Sequence, residues 1–171
     1  MARAESTDFY QNFRFHVRAS PANDGREFLD PVAGFQSVTT PEYTLDSVEY
    51  REGIDKYTRK YPGVPSTNEL TLSKGVSPRG SAFYDWVRTA IEGGEYRVDL
   101  QIRHFHRKDG PGFNADTASS RVYLCFECFP LRIKPAADMD SQTSDVSLEE
   151  IDLAFEEFTI EESTTFAFGE V

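Results

Sequence analysis

The chain has 171 residues, of which 39% are hydrophobic and 13% aromatic, a composition typical of a folded globular protein and not of a disordered one. At this length we expect a single domain over 1–171, with enough chain to bury a full core. The formal net charge of −11 argues against a protein that grips phosphates through a basic surface, so no specific nucleic-acid binding is expected.

The acidic residues are concentrated at the C-terminal end. Eleven acids and no Lys or Arg lie between Asp138 and Val171, which leaves 18 acids against 18 Lys and Arg in the first 137 residues. Such a run is ordinarily a solvated edge; the alternative is an acidic surface that repels polyanions or faces a basic partner. No apolar stretch has membrane-spanning length, and the polar N-terminus lacks the apolar segment of a secretory signal. We therefore expect neither membrane insertion nor a signal peptide.

The first third of the chain is predicted to form short extended segments. Phe13, Phe15 and Val17 alternate with polar residues, which indicates a half-buried strand. Further extended segments are predicted over 35–38, 43–52 and 68–74. The last of these has Leu70 and Leu72 on one face, and its polar face is Glu69, Thr71 and Ser73.

A charged, tyrosine-rich arm runs from the end of the predicted segment 43–52 toward the segment 68–74. Nothing else in the chain is evidently built to cover it, so its amphipathic character is explained if it contacts another molecule. The residues of this arm are Arg51, Glu52, Asp55, Lys56, Tyr57, Arg59, Lys60 and Tyr61.

A short amphipathic helix is predicted over about 79–92. Its apolar residues recur at i, i+3, i+4, i+7 and i+8, a single stripe at the 3.6-residue period. Gly93 and Gly94 end the helix. The stripe predicted to enter the core is Phe83, Trp86, Val87, Ala90 and Ile91.

The rest of the chain is predicted to be strands. The segment 96–103 alternates cleanly, and its polar face includes Asp99, Gln101 and Arg103. The segment 121–134 is apolar on both faces, so we expect its own core to cover one face and something else the other. Over 146–160 the apolar phase changes, which implies a bulge or bend. The fold class is therefore mainly β, a sandwich or barrel of antiparallel strands with one packed helix.

No chemical site emerges from the reactive residues. Cys125 and Cys128 lie three apart on one predicted strand, which places them on opposite faces and favours buried small hydrophobes over a disulfide or zinc site. His104 and His106 share a strand face but lack a third ligand. No phosphate-binding loop or nucleophile motif is present. We expect no catalytic residue, no metal, no cofactor and no enzyme activity.

The order of these segments resembles the tail tube proteins of contractile phages and related contractile injection systems. The resemblance covers a core from about Phe9 to Ile160 and leaves 161–171 as a C-terminal extension. No single motif is specific, whereas their order is. The motifs are F-x-F at Phe13 and Phe15, VAGFQSV at 32–38, VEYREG at 48–53, RKYPG at 59–63, LTLSKGV at 70–76, the helix with Trp86, the strand that ends at Ile102, the aromatic strand that runs into Phe129-Pro130, and SLEEIDLAFEEF at 147–158.

The resemblance implies a structural part. Similar proteins form six-membered rings that stack into a hollow inner tube within a sheath, and strands of every subunit join edge to edge into one barrel, which removes exposed edges. The implied partners are further copies of the chain, sheath, baseplate and cap proteins, and a cargo of effector protein or DNA. The implied location is the bacterial cytoplasm during assembly, and then a phage tail or phage tail-like particle, as the bulk tube subunit or a terminal layer.

The resemblance also suggests roles for two residue sets. The arm is the candidate for contact with the neighbouring ring, where its mixed charges can set the register; the alternative is a solvated hairpin tip. The polar strand faces are candidates for the lumen wall, or else an outer solvent face: Glu69, Thr71, Ser73, Asp99, Gln101 and Arg103.

A second hypothesis for the whole chain is a monomeric β-sandwich that binds a ligand such as a carbohydrate. Such a module needs an exposed aromatic platform on one sheet face. Most aromatic residues here have core spacing or lie on the arm, which favours the tube subunit.

Overall fold

The computed structural model describes residues 10, 12–29, 34–54, 56–78, 82–105, 120–139 and 145–163, and the structural statements below concern these residues. This part of the chain contains nine strands and one helix. Their bounds are β1 (Phe15–Ala19), β2 (Ser37–Val38), β3 (Tyr43–Tyr50), β4 (Arg59–Thr67), β5 (Leu70–Gly75), α1 (Ala82–Glu92), β6 (Val98–Phe105), β7 (Ser120–Lys134), β8 (Leu148–Ala154) and β9 (Glu157–Ser163).

The long strand β7 belongs to two antiparallel sheet halves. Its first part pairs with β6 as far as Cys128 on one side and with β9 as far as Phe126 on the other, and β1 extends this half beyond β6. Its second part, from Phe129, pairs with β8, which is followed by β5 and β2. Strands that pass from one sheet into another form the corners of sandwiches and barrels. The prediction of a mainly β, antiparallel fold with one helix is confirmed.

The corner of β7 is a bulge at Glu127. The φ angle of Glu127 is 55°, in the left-handed region that residues other than glycine seldom adopt. The Asp99 carboxylate accepts a hydrogen bond from the Glu127 N–H at 2.9 Å and so helps to hold this conformation. Alongside the bulge, β8 ends and β9 begins, with Phe155 and Glu156 between them. The phase change predicted over 146–160 is this break.

The bulge also corrects the prediction for the two cysteines. Cys125 pairs with Leu100 and Cys128 with Val98, so two residues of β7, Phe126 and Glu127, oppose the single residue Asp99 of β6, and the alternation of faces slips. Both thiols consequently point into the same core and are fully buried. Burial raises the pKa of the Cys125 thiol to about 12 and also raises the pKa of Cys128. The prediction of opposite faces is wrong; both residues are inert core hydrophobes.

Helix α1 packs on the core through fewer apolar residues than the sequence predicts. Phe83 and Trp86 are fully buried, whereas Val87 and Ala90 are half-buried. The prediction is wrong for Ile91, which is 79% exposed. Thr89 is buried instead, because the contact face of the helix follows i, i+3 and i+6 and leaves the i+8 position outside.

The second face of β7 is buried as well. Val122 and Leu124 alternate along β7 with core residues, and they lie beside Gln101 and Arg103 of β6, whose side chains are 0% exposed. The guanidinium carbon of Arg103 lies 5.2 Å from the centre of the Phe105 ring. The prediction that β7 is covered on both faces is confirmed for the first part of the strand, whereas in the second part Leu131 is 47% exposed.

Candidate assembly site: the β3–β4 hairpin

Strands β3 and β4 form a separate two-stranded sheet. Every residue of β3 is exposed, and so is every residue of β4 except Gly63, which is half-buried. Large apolar side chains are among them: Leu45, Val48, Tyr50, Tyr61 and Val64 are each about half exposed or more. Several large apolar side chains exposed on one small hairpin are typical of a protein–protein contact.

The sequence predicts this region only in part. The sequence predicts an arm and no strand here, whereas Arg59 to Gly63 lie in β4. Pro62, Gly63 and Pro65 hid the strand, because proline and glycine ordinarily argue against one. Both prolines are tolerated because they stand in a two-stranded ribbon in which each strand has only one partner.

A bulge in β4 divides the hairpin into two halves. Leu45 pairs with Pro65 and Ser47 with Pro62, so Gly63 and Val64 together oppose the single residue between, Asp46. A Cβ atom on Gly63 would lie 3.0 Å from the Asp46 carbonyl oxygen, which is closer than most Cβ contacts, so this close approach favours glycine.

The apolar side chains change faces across the bulge. Along β3, Tyr43 and Leu45 lie on one face of the ribbon, whereas Val48 and Tyr50 lie on the other, where Tyr61 is the partner of Val48. The half nearest the body therefore presents its apolar face toward the body, and the distal half presents one in the opposite direction. This distal set, Val48, Tyr50 and Tyr61, is called the outward face below.

The described arm residues lie at the distal end of the hairpin. Lys60 forms an ion pair with Glu49 at 3.2 Å, and the Lys56 ammonium lies 5.9 Å from the Tyr57 ring centre. Both contacts are exposed and contribute little to subunit stability. Asp55 lies outside the described residues. The remaining arm residues, Arg51, Glu52, Arg59 and Tyr61, are exposed.

Three of the residues predicted to line a lumen cannot do so. Ser73, Gln101 and Arg103 are buried within a single subunit, and assembly removes further surface without uncovering what is already buried. The prediction is wrong for these three although alternation of polar residues along a strand is typical of a solvent face. Gln101 and Arg103 lie on a covered face of β6, and Ser73 of β5 is buried with its hydroxyl 2.6 Å from that of Ser37.

Two further lumen candidates are engaged within the subunit. The Thr71 hydroxyl donates to the Asp152 carboxylate at 2.8 Å. Burial works to raise the pKa of Asp152, but hydrogen bonds from Arg132 and Thr71 outweigh it and lower the pKa below the usual value. Asp99 is half-buried and supports the β7 bulge. Glu69 alone of the six is exposed.

The root of the hairpin contains the residues that sequence reasoning missed. Tyr43 and Thr67 contact the β8–β9 junction, and the Asn68 side chain accepts a hydrogen bond from the Glu42 N–H at 2.8 Å and donates one to the Thr40 carbonyl at 3.0 Å. Asn68 is the first residue of the predicted extended segment 68–74, and an asparagine at such a position is a turn signal that was available in the sequence.

A cavity of about 530 Å³ lined by described residues beside β2 is a candidate for the alternative of a ligand-binding module. Its aromatic lining residues Phe15 and Tyr123 pack against the core, so they form no exposed platform. Within the described ranges no group of three or more His, Cys, Asp or Glu residues is placed to hold a metal ion, and no helix is long and apolar enough to cross a membrane. His106 lies outside those ranges.

Comparison with known proteins identifies relatives over nearly the whole chain. The family model of the T4-like virus tail tube protein gp19 matches residues 11–159. No curated protein sequence matches. One similar solved structure is a chain of the PVC sheath-tube complex, an extracellular contractile injection system, in the extended state. It is 19% identical over 95% of this chain and 100% of that one, with a TM-score of 0.73.

Two chains from the anti-feeding prophage are similar as well. The chain in the tube-terminating cap is 21% identical over 95% of this chain and 100% of that one, with a TM-score of 0.70. The chain in the baseplate is 16% identical over 94% of this chain and 97% of that one, with a TM-score of 0.68. At these identities the structures show a shared fold. Because the family model spans most of the sequence, the chain belongs to the T4-like virus tail tube protein gp19 family and is a structural subunit of a tail tube.

Proposed function

We propose that this chain forms six-membered rings that stack into the hollow inner tube of a contractile phage tail or contractile injection system. The observation that carries the proposal is the β3–β4 hairpin, exposed on both faces and with a single strand partner on each strand. Joining such edges between copies covers them, and a heterologous contact repeated around an axis closes a ring. The tube then serves as a conduit and carries out no catalysis.

The distal end of the hairpin is proposed to contact the neighbouring ring. Its residues Arg51, Glu52, Lys56, Arg59 and Lys60 carry both signs of charge within a short span, which favours one register over others. Tyr57 and Tyr61 supply exposed aromatic area that a contact can bury.

Charge reversal tests this contact. We expect Arg59→Glu with Lys60→Glu to reduce the yield of stacked tubes strongly while the subunit remains folded, because exposed substitutions rarely change folding stability by more than about 0.5 kcal/mol. Negative-stain electron microscopy measures tube yield, and circular dichroism measures folding. Arg88→Glu is the matched control, since Arg88 is also exposed and ion-paired, with Glu92 on α1. Equal tube yield from the double variant and the control would overturn the contact.

The partners of the tube follow from the same proposal. Sheath, baseplate and cap proteins of the same particle are proposed to contact it, as the sources of the similar structures suggest. The lumen is proposed to carry an effector protein or DNA, with Glu69 as a wall residue. Electron microscopy of the native particle tests which cargo the lumen carries. A capsid attached to the tail indicates DNA, and a particle without a capsid indicates protein cargo.

A further inference from the structure

The hairpin is attached to the body by a ring stack and two hydrogen bonds between Tyr43 and Phe158. The Tyr43 ring stacks on the Phe158 ring, with 4.3 Å between centroids and 21° between planes. The Tyr43 hydroxyl accepts a hydrogen bond from the Phe158 N–H at 2.8 Å and donates one to the Phe158 carbonyl at 3.3 Å. Phe158 in turn contacts the core residue Phe155, with ring centroids 6.0 Å apart. The hairpin root is thereby connected to the core.

A second attachment lies on the other strand of the hairpin. Thr67 is the cross-strand partner of Tyr43, and its hydroxyl donates to the Phe155 carbonyl at 3.3 Å. One attachment point allows a ribbon to rotate about it, whereas two points on neighbouring strands remove that rotation. A hairpin with almost no other burial therefore keeps a defined direction relative to the body.

We propose that Tyr43 and Thr67 are positioning residues for assembly, and that they fix the hairpin so that its outward face meets a second copy of this chain. The inference rests on the proposed function and names the residues that orient the hairpin for contact with a second copy. The bulge at Gly63 and Val64 supports it, because it places Tyr61 of β4 beside Val48, on the ribbon face opposite to Tyr43.

The charges of the two strands point to the same chain as the partner. The charged residues of β3 are the acids Asp46 and Glu49, and those of β4 are the bases Arg59 and Lys60. One hairpin thus carries an acidic strand beside a basic one. Two such ribbons placed side by side in the same direction bring opposite charges together, which favours a head-to-tail contact between identical chains.

The first test measures the direction of the hairpin in the isolated subunit. Spin labels at Glu52→Cys and Ile91→Cys report the distance from the hairpin tip to α1; both sites are exposed, and the native cysteines are buried. We expect a narrow distance distribution in the parent and one at least twice as wide in Tyr43→Ala with Thr67→Val. An equally narrow distribution in this variant would overturn the positioning role.

The second test isolates the hydroxyl of Tyr43. Tyr43→Phe keeps the stacked rings and removes both hydrogen bonds to Phe158, so we expect the Phe158 amide to exchange with solvent about tenfold faster. Tube yield should fall by a similar factor, while the thermal midpoint stays near that of the wild type. Tyr84→Phe is the matched control, because it removes the hydroxyl of an exposed tyrosine on α1. Unchanged tube yield in both Tyr43→Phe and Tyr43→Ala would overturn the inference.

The two tests fail separately. If wild-type subunits form no rings at all, the proposed function fails, whereas the spin-label distances still decide whether Tyr43 and Thr67 orient the hairpin. If tubes form and the outward face is not in the contact, truncating Val48 and Tyr61 to Ala leaves tube yield unchanged, and the proposal of a second copy on that face is overturned.

Discussion

Trp86 holds α1 against the sheets by packing and by a hydrogen bond. Its ring stacks on Phe28 with centroids 5.4 Å apart, and its indole N–H donates to the Tyr96 carbonyl at 2.6 Å. That carbonyl lies just before β6, so one side chain links the helix to the start of the next strand. A buried indole with its donor satisfied contributes area without a desolvation penalty.

Trp86→Ala should lower the free energy of unfolding by about 3–5 kcal/mol, because it leaves a large cavity and the unpaired Tyr96 carbonyl. Chemical denaturation measures the loss. Ile91→Ala is the control on the same helix, and we expect a change within about 0.5 kcal/mol at this exposed site. A midpoint unchanged by Trp86→Ala would show that the indole is not part of the core.

Lys74 and Glu149 form a buried ion pair between the central strands β5 and β8. Their charged atoms are 3.1 Å apart, and both side chains are nearly inaccessible. The Lys74 ammonium also lies 4.4 Å from the centre of the Phe83 ring, on α1. The pair therefore sits where two strands and the helix meet, and the aromatic face supplies a second favourable contact for the cation.

Glu149→Gln should destabilise the subunit by about 3–5 kcal/mol, since it leaves the Lys74 charge buried without its partner. Replacing both residues, with Lys74→Met and Glu149→Leu, should recover most of that loss. Urea denaturation of the two variants and the wild type decides the matter. A single variant as stable as the wild type would mean that the ion pair contributes nothing.

At the scale of elements, the sequence predicts what its periodicity encodes. The amphipathic pattern of α1 and the alternation of β6 are strong signals, and both elements form. Strand β4 is missed because Pro62, Gly63 and Pro65 obscure a strand whose partner is only β3. The buried outer face of β6 is missed because the residues Gln101 and Arg103 have a pattern identical to that of a solvated face.

Gly63→Ala should disrupt the hairpin without unfolding the body. The new Cβ would meet the Asp46 backbone, which cannot yield as a flexible side chain can, so we expect a cost of about 1–3 kcal/mol that falls on the ribbon. Amide exchange over β3 should accelerate and tube yield should fall. Gly53→Ala, at the tip, has open space around its Cβ and is the control. Equal protection of β3 in both variants would contradict this account of the bulge.

At the scale of the whole molecule, folding and assembly are linked through the hairpin. The body has a complete core joining β1, β5, β6, β7, β8 and α1, whereas the hairpin leaves its apolar side chains in water. Anything that binds the folded subunit alone stabilises it by mass action, and further copies of the chain do so by an amount that grows with the logarithm of their concentration.

The thermal midpoint of the wild type should therefore rise with protein concentration. When association is strong, the free energy of unfolding increases by up to about 1.4 kcal/mol for each tenfold increase in concentration. Scanning calorimetry over a hundredfold range measures this dependence. The variant with Arg59→Glu and Lys60→Glu should show a weaker rise. A midpoint independent of concentration in the wild type would mean that the subunit gains nothing from its own copies.

The Tyr43 hydroxyl also affects which strand edges remain open to neighbours. Among the residues that the structure describes, β9 has β7 as its one strand partner, and on its other side the Phe158 N–H and carbonyl are both hydrogen-bonded to the Tyr43 hydroxyl. A side chain thus occupies the place where a stray strand would begin to pair. At that residue the edge of β9 cannot pair with a strand of another chain, so the hairpin root also reduces the tendency of the subunit to aggregate.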